Sequence, residues 1–448
     1  MKTIYSFFLL CIGFSGFSQI INIPDANFKG KLLLANSNNT FAKNSSGQYI
    51  KIDTNNNGEI EVTEAQAVAY LNVSSAPNNA ISDIETMEGL QYFTNLTELR
   101  SWGNTYTSLD VSMLTQLVIL DCSSGLMSSL NVSGLTNLQK LYCYYNQLPI
   151  LNVSGLTALE NLWCMHNNLT FLDCSGLSAL KAVMAYNNQL TSVTFTSHPS
   201  LDYVDLGYNN LSTVDLSTLT ILAQLDISFN NLSSLNLQPF STTLSSLNCS
   251  FNPISTLQLN GFTALGILNV NGTLITTLDC SQTGLQQLVC RDNPNLQTIN
   301  IRNGYVGYND PDLLFFSVNI ENNPQLISIC VDNGEQNNLI YYNYNTSGSV
   351  VVYTGINCDI PVPKTMGIND YNKGNLFAVY PNPTTSYLNI KMVNDISVNE
   401  IAVYNTLGQK VITKNNETTL DVSTLNTGTY FITVTTDAGK ATRKFIKL

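Results

Sequence analysis

A leucine returns every 21 residues through the middle of this chain: Leu96, Leu117, Leu138, Leu159, Leu180, Leu201 and Leu222, then Leu244 after 22 and Leu265 after 21 more. Three places after each stands a second apolar residue (Leu99, Leu120, Leu141, Leu162, Val183, Val204, Leu225, Leu247, Leu268). Eight places after it stands an asparagine at Asn104, Asn146, Asn167, Asn188, Asn209, Asn230 and Asn252. Few folds accept such a pattern. The segment from the first leucine onward alternates with period two, so it reads as a short strand. A 21-residue unit holds that strand and a tight return but no three-turn helix. Successive strands must then pair in parallel, and their leucines stack into one continuous core. The asparagines fall at the bend after each strand, where a side-chain amide can satisfy backbone groups of its own coil and the next. Gly125 and Thr273 interrupt that column, so those two bends are expected to be less firmly tied.

The second half of each unit, as in Leu169-Thr-Phe-Leu172-Asp-Cys174-Ser-Gly-Leu177, supplies four more inward residues. Repeats of this kind lengthen without closing a globular core, which accommodates 448 residues. The net charge of −12, with charged residues only 11% of the chain, leaves no basic stripe for nucleic acid.

Met1-Lys2, the apolar run Ile4 to Phe14 and the small residues Gly16 and Ser18 read as a secretory signal peptide, residues 1–18. Cys11 follows the bulky Leu10, which disfavours lipid attachment. No later apolar run is long enough for a transmembrane segment. Of the nine cysteines that remain, Cys122, Cys143, Cys164, Cys249 and Cys290 occupy one inward slot, and Cys174 and Cys280 another. They read as small buried hydrophobes in a crowded column rather than as metal ligands or a disulfide ladder. Cys330 falls on the outward side of a late unit, and a disulfide with Cys358 is expected.

Residues 19–75 form an N-terminal cap. Pro24-Asp25 precedes a short helix, and residues 53–64 follow as Asp53-Thr-Asn55-Asn-Asn57-Gly58-Glu59-Ile60-Glu61-Val-Thr-Glu64. Oxygen ligands at the first, third and fifth places, glycine at the sixth and a glutamate at the twelfth are what a calcium loop requires. Asp53, Asn55, Asn57, the Glu59 carbonyl, Glu61 through water and Glu64 are the candidate Ca2+ ligands. The segment resembles the EF-hand loop, but Tyr49-Ile-Lys-Ile52 before it looks like a strand and no second loop follows. A structural site tying the cap to the first coil is expected. The alternative is a polar, Asn-rich turn.

The repeats occupy residues 76–358 and a linker 359–374; from 375 to 448 short alternating strands between turn residues make a small antiparallel β-sandwich. Tyr380-Pro-Asn-Pro383, Val403-Tyr-Asn-Thr-Leu-Gly-Gln409, Leu425-Asn-Thr-Gly428-Thr-Tyr430 and Lys444-Phe-Ile-Lys447 resemble the type A sorting domain of the type IX secretion system. That resemblance implies export across both bacterial membranes by the secretion machinery and removal of the domain by a sortase-like peptidase. The array, in turn, resembles internalin-like leucine-rich repeat proteins, which implies binding and adhesion at a cell surface. The expected fold is thus mostly β: a leucine-rich repeat solenoid with a parallel concave sheet, capped by the calcium loop and followed by the sandwich.

Alternation places every second strand residue on the concave face. Trp102, Tyr142, Tyr144, Trp163, Met165, Met184, Tyr186 and Tyr203 fall there, and include both tryptophans of the chain. An aromatic patch on a solvated sheet points to a protein or glycan ligand. The alternative is cross-strand stacking in a structural surface-layer component without a discrete ligand. Asp205 and Asp226 stand one coil apart, as a glycoside hydrolase would need, but in ordinary repeat wording with no sign of a tuned acid. Neither His166 nor His198 sits in a catalytic motif, and no catalytic residues are assigned. The expectation is a non-enzymatic protein.

Overall fold

The computed structural model describes residues 19–75, 83–304, 317–332, 350–354, 377–392, 397–415, 417–436 and 439–448. The expected signal peptide 1–18, residues 305–316, Cys358 and the expected linker 359–374 lie outside them. Contacts divide the chain into two units, Met1–Ile360 and Pro361–Leu448.

The first unit is a β-solenoid. Each coil contributes a three-residue strand to a long sheet, from Glu98–Arg100 and Ile119–Asp121 through to Gln287–Val289 and Ser317–Asn319. Pairing is parallel and in the register that the leucine repeat demands, with Leu99 opposite Leu120, Leu120 opposite Leu141, Leu141 opposite Leu162 and Leu162 opposite Val183. These central residues are fully buried, so the core is a stack of identical rungs. The return needs only turns: the amides of Leu117, Leu138, Leu159 and Leu180 donate to the carbonyl three residues back. Shorter sheets form on the return side, among them Phe171–Asp173 with Ser192–Thr194.

The asparagine ladder closes each bend. Asn167 donates to the carbonyls of Cys143 (3.0 Å) and Cys164 (3.1 Å), and its Oδ1 accepts the Leu148 amide at 3.0 Å. Asn146, Asn188, Asn209, Asn230 and Asn252 repeat the arrangement. At the two interruptions other groups take over part of the tie. At Gly125 one bond of the tie is replaced: Ser101 O, a carbonyl that an asparagine there would reach, accepts from the buried Tyr106 hydroxyl at 3.2 Å. Thr273 substitutes in part, its hydroxyl reaching Val270 O (3.3 Å) and Asn293 Oδ1 (2.7 Å). The ladder also continues past Asn252, through Asn293 and Asn323, whose side chain donates to Cys290 O and Ile320 O.

The cap continues the same sheet. Ala42–Lys43 pairs antiparallel with Tyr70–Asn72, which pairs parallel with Glu98–Arg100. Asp25 caps the helix Ala26–Leu34 through the Phe28 amide and accepts the amides of Glu85 and Thr86 with its other oxygen. Lys31 is buried, and its ammonium donates to Val73 O and Ser74 O at 2.8 Å each. Helix and first coil are thereby joined at two charged points.

The second unit holds two antiparallel sheets. Phe377–Tyr380, Tyr387–Met392 and Thr419–Asp421 form one; Lys410–Asn415, Val398–Tyr404, Gly428–Thr436 and Gly439–Lys447 form the other, in that order. Leu388, Ile401, Val403, Leu420, Ile432, Val434 and Phe445 make its core.

Candidate functional site

The outward face of the long sheet carries the strand residues that flank the buried leucines. In one column stand Arg100, Asp121, Tyr142, Trp163, Met184, Asp205, Asp226 and Asn248, held by the strand register. Two places further along the chain lie Trp102, Ser123, Tyr144, Met165, Tyr186, Gly207 and Ser228. The Tyr142 and Trp163 rings meet at 4.6 Å between centroids, and Tyr144 lies 6.3 Å from Trp163. The Trp163 indole N–H is buried without a hydrogen-bond partner. Met184 follows Trp163 in the column, and Met165 is buried beside it in sequence. Tyr186 and Tyr203 continue the patch on the next two coils. Trp102 is set apart, because Ser123 stands between it and Tyr144 in their column.

A second aromatic column, absent from the alternation pattern, runs along the bend. Tyr145 stacks on His166 at 4.1 Å, Tyr208 on Phe229 at 4.1 Å and Phe229 on Phe251 at 4.3 Å. Tyr145, Tyr208, Phe229 and Phe251 are exposed. Each of these residues precedes a ladder asparagine and takes positive φ, between 51° and 54°. His166 also meets Tyr186 edge-on at 5.2 Å, which joins the bend column to the sheet-face patch. A sequence signal existed in the aromatic residues before Asn146, Asn209, Asn230 and Asn252.

Asp205 and Asp226 are register partners. Contrary to the sequence expectation, Asp205 is tuned: burial pushes its carboxyl up from 3.8 to about 6, the Gly207 amide opposes this, and Asp226 adds to it. Asp226 is engaged by the Ser228 amide and hydroxyl (2.9 and 2.6 Å) and by Asn248 (2.7 Å). Gly207 keeps the space above them open: a Cβ there would stand 3.1 Å from Asp226 Oδ1 and 3.2 Å from Ser228 Oγ. His198 is buried and bonded to Leu177 O and the Thr196 amide, and burial holds it below the ordinary histidine value.

In the cap loop, Gly58 takes φ +80° and nothing crowds it. Asp53 accepts the amides of Asn57 (3.2 Å) and Gly58 (3.3 Å), and Asn55 and Asn57 accept amides two residues on. Glu64 Oε1 accepts the Thr54 amide and hydroxyl at 2.7 Å each, and its Oε2 the Glu61 amide at 3.1 Å. Glu61 Oε1 accepts the side-chain amides of Asn57 (2.6 Å) and Asn55 (3.2 Å). The Glu59 side chain turns out to Lys29 at 2.7 Å, leaving only its carbonyl for the loop. Among the described residues no three His, Cys, Asp or Glu side chains close on one point.

The inward cysteines are buried and free, and burial pushes their thiols up, out of the reactive range. Cys330 is disulfide-bonded; its expected partner, Cys358, lies outside the described residues. Cys330 is buried rather than on an open face, because its strand, Ser328–Val331, lies between Thr298–Asn300 and Val351–Thr354.

In the second unit the quoted motifs hold the sheets together. Asn382 accepts the Ile446 amide and donates to Lys444 O, which fastens Tyr380-Pro-Asn-Pro383 to the last strand. Asn405 and Gly408 form the turn before Gln409, and the Tyr430 hydroxyl donates to Asn426 O. Residues 378–448 match the family described as secretion system C-terminal sorting domain. The tail is a sorting domain. The chain is accordingly exported through the type IX secretion system, to the cell surface or beyond it. No helix among the described residues is long and apolar enough to cross a membrane. No curated relative matches the chain. Similar solved structures are leucine-rich repeat proteins. The functional domain of InlJ from Listeria monocytogenes is 20% identical, over 96% of this chain and 99% of that one, with a TM-score of 0.49. The internalin InlF from the same species is 18% identical over 73% and 96%, TM-score 0.46. A leucine-rich repeat protein of Leptospira interrogans is 18% identical over 60% and 82%, TM-score 0.45.

Proposed function

We propose that this exported solenoid is a non-enzymatic adhesion protein that binds a protein or glycan on the outward face of its long sheet, centred on Tyr142, Tyr144 and Trp163. The observation that carries the reading is the aromatic patch itself, where Tyr142 and Tyr144 converge on the half-buried Trp163 indole of the sheet face. The surrounding rings, Tyr142 at 4.6 Å and Tyr144 at 6.3 Å, supply the apolar contact typical of an interface hot spot. Asp205 and Asp226 accept the Gly207 and Ser228 amides of their own turns, and Asp226 also the Asn248 side chain of the next coil, which supports a structural rather than a hydrolytic role.

The test is a pair of substitutions in adjacent residues. Trp163→Ala is expected to cost about 2 kcal/mol or more of ligand binding and cell adhesion. Its folding cost should stay near 1 kcal/mol, the worth of the lost Tyr142 ring contact. Leu162→Ala, fully buried, should lose about 2–5 kcal/mol of local stability through a core cavity. Full adhesion by a folded Trp163→Ala protein would leave the rings as stacking alone, and the structural surface-layer reading would replace this one.

A further inference from the structure

Polar side chains in the main column of the sheet face close turns of their own. Asp121, Asp226 and Asn248 each accept both the amide and the hydroxyl of the serine two residues on, the hydroxyls at 2.6–2.7 Å. Asp205 stands in the same column, but two places on from it comes Gly207. It keeps the amide bond, at 3.1 Å, and lacks the hydroxyl. Among the described residues no other donor reaches Asp205, and no lysine or arginine pairs with it or with Asp226. A half-buried carboxylate is thus left one donor short.

Gly207 is also a gap in the surface, with Tyr186 one coil before it in its column and Ser228 one coil after. A Cβ there would meet Asp226 Oδ1 at 3.1 Å, Ser228 Oγ at 3.2 Å and Asp205 Oδ1 at 3.4 Å, so three oxygens converge over bare backbone. The neighbouring bend column has a matching step. Tyr208 is the first ring of the stack that continues through Phe229 and Phe251, so one of its faces is covered and the other turns toward Asn187, one coil before. At 50% it is more exposed than Phe229, which has a ring on each face, at 37%. Asn187 is shorter than a ring, and its Nδ2 lies 3.4 Å from His166 Nε2, which leaves its Oδ1 to accept. The coils cannot slide to close the step, because the Asn187 amide donates to Gly207 O at 3.0 Å and the Tyr208 amide to Ser228 O at 2.8 Å.

We propose that this depression, formed by Asp205, Gly207, Ser228, Asn187 and Tyr208 with Tyr186 at its edge, binds one pyranose ring of a neutral glycan. The C–H face of the sugar lies on the open face of Tyr208, and a sugar hydroxyl gives Asp205 the donor that serine gives in the other turns. Hydroxyls both donate and accept, which suits a set of carboxylate, serine and carboxamide oxygens. Phe229 behind Tyr208 holds the platform in one orientation before the ligand arrives. Asp205, Asp226 and a net charge of −12 disfavour an acidic sugar. A lysine or arginine of a protein partner would answer the carboxylates but leave the ring face and Asn187 unused. The site rests on the sheet face being a ligand surface, yet contains none of Tyr142, Tyr144 and Trp163, so that patch and this depression can fail separately.

The experiment uses the chain from Gln19 onward, titrated calorimetrically with glucose, mannose and galactose trisaccharides, with trigalacturonic acid and with trilysine. At least one neutral trisaccharide is expected to bind with a Kd of about 10⁻³ M or tighter, and trigalacturonic acid at least about tenfold more weakly. Gly207→Ser, which restores the serine of the other turns, should weaken sugar binding at least about tenfold. So should Tyr208→Asn, which gives this bend the residue that position 187 carries at the same backbone conformation. Phe171→Asn, an exposed aromatic on the return side, should leave binding unaltered. No binding of any neutral trisaccharide at ~10 mM overturns the site, as does undiminished binding by folded Tyr208→Asn. Equal binding of trigalacturonic acid overturns the choice of a neutral glycan. Trilysine binding that Gly207→Ser removes, with no sugar bound, gives the depression to a basic peptide instead. Cell adhesion of Trp163→Ala, measured separately, reports on the aromatic patch alone.

Discussion

Removing one rung of the asparagine ladder tests what holds the coils in register. Asn188 is nearly buried; its Oδ1 accepts the Leu169 amide at 3.0 Å, and its Nδ2 donates to Ala185 O (3.0 Å) and Cys164 O (3.1 Å). Alanine at 188 leaves the Leu169 N–H with no partner, at about 1–3 kcal/mol for a buried donor. The two carbonyls fare better, since Cys164 O keeps Asn167 and Ala185 O keeps Asn209. Each loses one of two donors, which we take as about 0.5–1 kcal/mol apiece, so Asn188→Ala should cost about 3 kcal/mol in all. In a solenoid, stability is close to a sum of coil and neighbour terms, so the loss should be local. Urea melts should show a lowered or split transition, and exchange protection should fall at Leu169 and its coil before distant coils. Asn168→Ala, exposed in the same coil, should stay within about 0.5 kcal/mol of wild type. A cost below about 1 kcal/mol for Asn188→Ala, or unchanged protection at Leu169, would refute the ladder as the source of register.

Asp205 makes stability depend on pH. Its carboxyl titrates near 3.8 unperturbed and near 6 in the fold, so between these values the folded chain binds more protons and stability falls as pH rises. The loss amounts to up to about 3 kcal/mol, and Asp205→Asn should abolish that slope and exceed wild type in stability at pH 7. Urea melts at pH 4 and pH 7 decide it; parallel pH dependence in the two proteins would contradict the assignment. Deleting residues 375–448 should leave the repeats folded but retained in the periplasm, because the tail has its own core. Cell fractionation checks this, and surface display of the truncated protein would refute the need for the tail.

How much of this was legible in sequence depends on whether a residue's role is local and periodic. The rungs Leu99 to Leu268 were readable because burial recurs at fixed spacing, and the pairings follow that spacing. Asn293 and Asn323 escaped because the interval between ladder positions changes to 20 and then 30 residues, as their bonds to Thr273 and Asn293 record. Tyr106 escaped for a different reason: it replaces an asparagine one coil away, a compensation visible only once Ser101 O is seen to lack a second donor beside Asn104. The tuning of Asp205 likewise comes from burial among neighbouring coils, while its wording, Val204-Asp-Leu206, is ordinary for a unit of this repeat.

The bend column shows what such compensation can accomplish. A left-handed backbone costs an L-residue roughly 1–2 kcal/mol, and bulky side chains adopt it least readily. Asn187 and Gly272 occupy two bend positions at the smallest conformational cost, yet Tyr145, His166, Tyr208, Phe229 and Phe251 occupy five others. The ladder asparagine that follows each one fixes the bend whatever residue precedes it, so the strain is imposed by the coil and not chosen by the ring. Stacking at 4.1–4.3 Å then returns about 0.5–1.5 kcal/mol per pair, enough to offset much of that cost. The stack ends where Phe251 lies over Gly272, whose Cβ would come within 2.6 Å of the ring. A side chain at 272 would have to displace Phe251, so glycine there is set by its neighbour's ring as well as by its own φ.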